Sequence, residues 1–379
     1  MNLAFVSSMA SVPWGGSEVL WHDAARVLLQ RGHRVSVAYP KWPEPPAVLS
    51  RLSADTQVDL WYYPLMPGRL ERALKLFPGV LARSLSGKMH WLKSRNPDLL
   101  CISSGNAIEG QSWMEAAMAA GCPYVTLAQA HVEFLWPTDV QAETLRRLFA
   151  GAKRNFFVSQ GNRRLLETQL GERLEHAEVV ANHGCGLIGP ALPWPQPQDG
   201  VWRLACVGRL HPQSKGQDLV IEVLAQEHWR QRNVAVTLFG AGPNELNIRR
   251  LVASHGVTGA VIFGGHVLDV RTIWETHHAL LLPSRYEGRP LAIVEAFLCG
   301  RPAIVTDVAG NAEVVEHGVS GFVAEAPTAP LLDKAMEEAW AQRENWQAMG
   351  SAARDWAESS LPLHPGGAFA DQILDIGKQ

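Results

Sequence analysis

Short apolar runs of strand length alternate with helical patterns along this chain, and the alternation stops once and restarts. Before the break the strand-like runs are Leu3 to Ser7, Arg34 to Ala38, Val58 to Tyr62, Leu99 to Ile102, Tyr124 to Ala128, Asn155 to Val158 and Val179 to Ala181. The break is Gly189 to Gly200, GPALPWPQPQDG, which holds four prolines and no periodicity. After it come Leu204 to Val207, Val234 to Phe239, Val261 to Phe263, Ala279 to Leu282, Ala303 to Val305 and Gly321 to Ala324. Strands separated by helices read as βαβ units, whose parallel sheets are covered on both faces. A length of 379 residues exceeds one typical domain, and 47% hydrophobic residues can fill two cores. The pattern therefore predicts two similar α/β halves joined near residue 190.

Composition removes several function classes. A net charge of −3 lacks the basic surplus of a nucleic-acid protein. Cys101, Cys122, Cys185, Cys206 and Cys299 show no C-x-x-C spacing, so neither a disulfide framework nor a zinc site is expected, and buried free thiols are. The start, MNLAFVSSMASVPWGG, reads as a first strand rather than a signal peptide, and no apolar run approaches the ~20 residues of a membrane helix. The expected location is cytoplasmic.

The most informative stretch is Leu280 to Gly310, LLLPSRYEGRPLAIVEAFLCGRPAIVTDVAG. A strand stops at Pro283 and Ser284, a polar loop follows, and a helical pattern runs from Leu291 to Leu298 with Pro290 at its first turn. A strand end feeding a helix N-terminus offers free N–H groups and the positive end of the helix dipole, which suit a phosphate. Carboxylates repel a diphosphate, so Glu287 and Glu295 are expected to accept from sugar hydroxyls on either side of it. These residues describe a nucleotide-sugar site. Val207-Gly208-Arg209 ends the first strand of the second half, and Lys215-Gly216 begins the next helix. Two cations at a strand's C-terminal end can neutralise a diphosphate and stabilise it as a leaving group. In the first βα turn, Gly15-Gly16-Ser17-Glu18 lets backbone approach a ligand closely. A dinucleotide-binding G-x-G-x-x-G is missing there, which argues against a dehydrogenase.

The frame PS-x-x-EG-x-x-L-x-x-x-EA-x-x-x-G-x-P-x-I, with its E-x7-E spacing, resembles the donor-site signature of retaining glycosyltransferases of family 4. The resemblance implies the GT-B fold: two Rossmann-like domains facing each other across a cleft, with a C-terminal helix crossing back to the first. On that pattern residues 1–188 form the acceptor domain, completed by roughly 361–379, and residues 189–360 form the donor domain. It implies that Arg209 and Lys215 grip the pyrophosphate and that Gly15 and Gly16 lie over it. His131, just past the strand Tyr124 to Ala128, would contact the donor sugar near its anomeric centre. Gly264-Gly265-His266-Val267 resembles the base-contacting loop, with the backbone of His266 and Val267 meeting the nucleobase, and Asn182-His183-Gly184 resembles an Asn-Gly hinge motif with an extra histidine. Arg289-Pro290 replaces the commoner Phe-Gly after Gly288. Pro290 has no N–H, so phosphate contacts pass to Leu291 and Ala292.

The implied activity is metal-independent transfer of a hexose, with retention, from a UDP- or GDP-sugar to an acceptor hydroxyl in bacterial glycan or glycolipid assembly, with no cofactor. A nucleotide-sugar 2-epimerase and a non-catalytic nucleotide-sugar-binding protein are the alternatives. Between Gly68 and Arg95, seven bases stand against Glu71 alone, among Leu70, Leu74, Phe77, Leu81 and Trp91. A solvated face over an ordinary core is one reading of that stretch. A peripheral surface docking on anionic lipid, where a lipid-linked acceptor is met, is the other.

Overall fold

The computed structural model describes residues 1–9, 12–55, 58–64, 78–182, 189–196 and 200–378, with side chains left aside at 53–55 and 78–84. These residues divide into two compact units, Met1–Gly184 with His364–Gln379, and Cys185–Leu363.

The first unit is built on β1 (Asn2–Ser7), β2 (Arg34–Lys41), β3 (Asp59–Pro64), β4 (Leu99–Ser104), β5 (Tyr124–Ala128), β6 (Arg154–Phe157) and β7 (Ala177–Val179). All pair in parallel, in the order β3-β2-β1-β4-β5-β6-β7. β4 and β5 are buried along their whole length, as apolar runs covered on both faces must be. One face carries Leu3, Phe5, Cys101, Val125 and Leu127 against the helix Val19–Gln30. The other carries Ala4, Val6, Ile102 and Tyr124 against Trp113, Leu145 and Leu166. The helix Asp139–Gly151 is started by a capping box between Thr138 and Gln141.

The C-terminal helix Pro365–Gly377 belongs to this first unit. Its Phe369, Ala370, Ile373 and Ile376 are buried in the same core as Leu20 and Trp21, and Phe369 meets Phe156 edge-on at 5.1 Å.

The second unit repeats the plan with β8 (Trp202–Val207), β9 (Val234–Phe239), β10 (Val261–Gly265), β11 (Ala279–Leu282), β12 (Ala303–Thr306) and β13 (Gly321–Ala324). These strands are also parallel, in the order β10-β9-β8-β11-β12-β13. In each sheet the strand order reverses once, between β1 and β4 in the first and between β8 and β11 in the second. Such a reversal opens a crevice at the carboxyl ends of its two strands, where open α/β sheets bind ligands.

The expected strands occur at their expected places with small shifts: β7 lies two residues earlier than the apolar pattern suggested. The proline-rich break is held by the second unit where it is described. Buried Arg301 donates to Pro193 O at 2.7 Å, and Arg354 donates to Gly189 O at 2.7 Å. Cys101, Cys206 and Cys299 are buried free thiols and Cys122 is half-buried, while Cys185 lies outside the described residues. Among the described residues no helix is long and apolar enough to cross a membrane.

Of the basic stretch, residues 65–77 lie outside the described residues, and only Leu85 onward has described side chains. There Lys93 is exposed and Trp91 and Leu92 are buried, as a solvated face over a core expects, and one base departs from it. Lys88 is 8% exposed, donates to Ser112 Oγ at 2.5 Å and sits over the Trp113 ring at 5.2 Å. Trp91 is buried between Trp61 and Trp113, and Arg95 is paired with Asp59. The stem of a lysine packs well on aromatic faces, so a base at helical spacing can serve the core.

Candidate functional site

At the strand reversal of the second sheet, the loop after β8 and the loop after β11 are tied together. Arg285 makes a two-pronged ion pair with Asp218, 2.7 Å at each prong, and its backbone N–H donates to Ser214 O at 2.9 Å. Gly216 sits in the left-handed region at φ +64°, and a Cβ there would fall 2.0 Å from Pro283 O. Only glycine lets the β8 loop approach the end of β11 this closely.

That closeness sets the charges. Lys215 Nζ pairs with Glu287 Oε1, which also accepts from Ser284 Oγ at 2.7 Å. Glu287 is 8% exposed. A carboxylate so enclosed needs such partners, because desolvating an unpaired charge is expensive. Arg209, half-buried on the facing loop, has its carbonyl anchored by Gln217 Nε2 at 2.8 Å. Its guanidinium has no ion-pair or hydrogen-bond partner among the described residues. Arg209 and Lys215 thus put two positive charges on one loop, and among the described residues Glu287 is the one carboxylate paired with either.

The helix Leu291–Leu298 begins at Pro290 with no side-chain cap, so its first N–H groups, those of Leu291 and Ala292, face outward along the axis. Gly288 and Pro290 are buried, and Gly288 O accepts from Gly310 N at 3.0 Å. Burial lowers the pKa of the Arg289 guanidinium, and Glu313 opposes that shift. Glu295 lies on the same helix, half-buried, and its carboxyl has no hydrogen-bond or ion-pair partner among the described residues. Burial alone pushes its pKa up to about 7. An unpartnered carboxyl held in that state gains from hydroxyl donors. His266 is exposed and Val267 half-buried, directly after β10.

In the first unit, Gly15 and Gly16 lead into the turn Gly16–Glu18 ahead of the helix Val19–Gln30. Glu18 points inward, 1% exposed, and accepts from Ser7 Oγ at 2.9 Å and Trp21 Nε1 at 2.6 Å. Burial raises its pKa to about 7 against those two donors. His131 lies past β5 and is 1% exposed. Its Nε2 is 2.9 Å from Gln169 Oε1, its Nδ1 is 3.2 Å from Asn106 Oδ1, and its backbone N–H donates to Asn162 Oδ1 at 3.1 Å. Burial pushes its pKa down to about 4, so the ring is neutral near pH 7. Asn182 is buried, and His183 and Gly184 of the expected hinge lie outside the described residues. The Arg285–Asp218 tie was not foreseen, because no spacing in sequence links two residues 67 apart.

Two parallel doubly wound units, the first completed by the C-terminal helix, are the GT-B architecture. The sequence profile described as Glycosyltransferase Family 4 matches residues 14–183, and that described as Glycosyl transferases group 1 matches residues 195–356. The chain belongs to glycosyltransferase family 4. It is 30% identical over 164 residues to a GDP-mannose-dependent alpha-(1-6)-phosphatidylinositol monomannoside mannosyltransferase of Mycobacterium tuberculosis, covering 40% of this chain and 42% of that protein. It is 26% identical over 175 residues to an alpha-D-kanosaminyltransferase of Streptomyces kanamyceticus, covering 46% of this chain and 44% of that one. The matched part is therefore less than half the length of these relatives. In three dimensions the chain is similar to HepE of Anabaena in complex with UDP-glucose, with a TM-score of 0.75 and 18% identity over 98% of this chain and 99% of HepE. It is likewise similar to sucrose-phosphate synthase of Thermosynechococcus elongatus, with a TM-score of 0.76 and 15% identity over 100% and 99% of the two chains.

Proposed function

We propose that this protein is a retaining, metal-independent glycosyltransferase that moves a hexose from a nucleoside diphosphate sugar to an acceptor hydroxyl. The observation that carries the reading is the crevice at the β8/β11 reversal. It combines a guanidinium on Arg209 and a carboxyl on Glu295, both unpartnered among the described residues, with the Lys215–Glu287 pair and an uncapped helix start. Cations and N–H groups answer a diphosphate, and carboxylates answer hydroxyls. No single smaller ligand uses all four.

In this reading Arg209, Lys215 and the amides of Leu291 and Ala292 hold the diphosphate and stabilise the charge that grows as it leaves. Glu287 takes hydroxyls of the transferred sugar, Glu295 those of the ribose, and the backbone of His266 and Val267 meets the base. The bond from the anomeric carbon to the diphosphate breaks while the acceptor oxygen bonds to the same face, and the acceptor proton leaves on the departing phosphate oxygen. A cationic loop in place of a bound metal predicts that transfer survives chelator. The ligands and donors named for similar proteins make UDP- and GDP-sugars the donors to try first, and glycan or lipid-linked acceptors the partners. The bases of 68–95 other than Lys88 are proposed to meet anionic membrane. Equal recovery with neutral and anionic vesicles at low salt would remove that part of the reading.

The experiment is a thermal-shift panel of UDP-, GDP- and ADP-sugars. A true donor at about 100 times its Kd adds roughly 2.7 kcal/mol of stability. No shift with any member would overturn the reading. Incubation with the stabilising donor alone then separates the neighbours: an epimerase changes the sugar, a binder changes nothing, and a transferase at most hydrolyses it slowly.

A further inference from the structure

At the carboxyl edge of the first sheet, one side chain is out of balance with its surroundings. Gln129 directly follows β5, and its N–H donates to Ser104 O at 2.9 Å, which carries the β4–β5 ladder one residue past the strand. It is 5% exposed, and neither its Nε2 nor its Oε1 has a partner among the described residues. Among the described residues it is the one side chain with two buried, unpartnered polar atoms. Groups near it in the fold have partners: Ser7 donates to Glu18, Ser8 Oγ donates to Ser103 O at 3.2 Å, and His131 Nε2 lies 2.9 Å from Gln169 Oε1.

Buried amides almost always find partners, and an orphan at a ligand-binding edge points to a partner that arrives with the ligand. The chemistry of that partner follows from the amide. Its nitrogen only donates and its oxygen only accepts. A phosphate only accepts and would leave the oxygen unspent, while an apolar group would leave both. A hydroxyl does both. We propose that this edge holds a sugar and that Gln129 is the side chain that binds one of its hydroxyls. The sugar is either the one carried by the donor or a free sugar acting as acceptor. The inference rests in part on the glycosyltransferase reading, which supplies both sources.

The test is saturation-transfer NMR on the full chain, with UDP-glucose and GDP-mannose as donor probes and methyl α-glucoside and methyl α-mannoside as free-sugar probes. Gln129→Met fills the same space without hydrogen bonds, and Gln129→Leu serves as a second variant. Sugar-proton saturation in the wild type, with about 2- to 12-fold weaker binding in the variants, is the expected result. Weakening confined to the nucleotide sugars assigns the subsite to the donor, and weakening of the glycosides assigns it to the acceptor. The Tm of the variants is expected to hold or rise, since an unpartnered buried amide is lost. Unchanged binding of all four probes, absence of any sugar signal in the wild type, or a marked fall in Tm overturns the inference. If the wild type binds glycosides but no nucleotide sugar, and the variants bind the glycosides more weakly, the inference stands and the transferase reading falls. If nucleotide sugars bind the wild type and no probe binds the variants more weakly, the inference falls and the transferase reading stands.

Discussion

At the β8/β11 reversal charged side chains dominate, and two of them, Arg209 and Glu295, have no hydrogen-bond or ion-pair partner among the described residues. At the β1/β4 reversal of the first unit the polar groups are buried and mostly answered from within: Glu18 by Ser7 and Trp21, and nearby His131 by Gln169. The two sheets share a topology, so the difference lies in the side chains placed at equivalent edges. A crevice for a diphosphate must leave cations unspent, because their counter-charge comes with the ligand. An edge for neutral groups can be closed almost completely, since a hydrogen bond needs one free atom and no net charge. Substitutions can break this contrast from either side.

The largest effect is expected at Gly216. Alanine there combines a left-handed backbone with a Cβ 2.0 Å from Pro283 O. Neither the β8 loop nor the end of β11 can yield without breaking the Arg285–Asp218 tie. Gly216→Ala is expected to cost about 4 kcal/mol or more and to abolish donor binding. Calorimetry of the full chain would show the loss, and a melt like the wild type's would mean the loop docks less tightly than described.

Next comes Glu287. Glutamine in its place removes the charge facing Lys215 and weakens the acceptor for Ser284 and for a sugar hydroxyl whose geometry changes as the bond breaks. Glu287→Gln is expected to lower kcat on the order of 100-fold, and kcat/KM with it. Glu295 differs because ribose contacts are alike in ground and transition states. Glu295→Gln is expected to raise the donor KM about 10- to 150-fold with kcat nearly kept. With its pKa pushed up to about 7, wild-type donor affinity is also expected to rise as pH passes upward through 7, and the glutamine variant to lose that rise. Steady-state kinetics with donor varied decides both. If Glu287→Gln spares kcat and Glu295→Gln abolishes it, the two carboxylates have been assigned to the wrong ends of the donor.

The second edge was more legible in sequence than the first for a physical reason. Charged residues interrupting apolar strand ends, framed by Pro283, Gly300 and Pro302, stand out because a core has no use for them. Gln129, flanked by apolar Ala128 and Ala130, has no such contrast, and its unpartnered state exists only after β4 and β5 pair. His131 was visible as a histidine past a strand, but not the fact that Asn106 and Gln169, 25 and 38 residues away, lie against its two nitrogens. The strands were readable because apolar runs covered on both faces admit few alternatives. Lys88 was misread because a base at helical spacing looks solvated until Trp91 and Trp113 are placed beside it.

The smallest effect tests whether the first edge is as closed as it looks. The folded pKa of Glu18, about 7, stands above the ordinary carboxyl value of 4.5, because burial outweighs its two hydrogen-bond donors. Between those values the folded form keeps a proton that the unfolded chain has released. Stability therefore falls as pH rises through that window and levels off above about 7. Glutamine at 18 has nearly the same shape as the protonated acid and does not titrate. Glu18→Gln should match the wild type near pH 5 and exceed it by pH 8, by at most about 3 kcal/mol. Glu295 contributes a slope of the same sign in both proteins, so the difference between the two melting curves isolates Glu18. Thermal melts at pH 5, 6, 7 and 8 give that difference directly. A gap that stays constant with pH would mean water reaches the Glu18 carboxyl, and the contrast between a sealed edge and an open one would then fail.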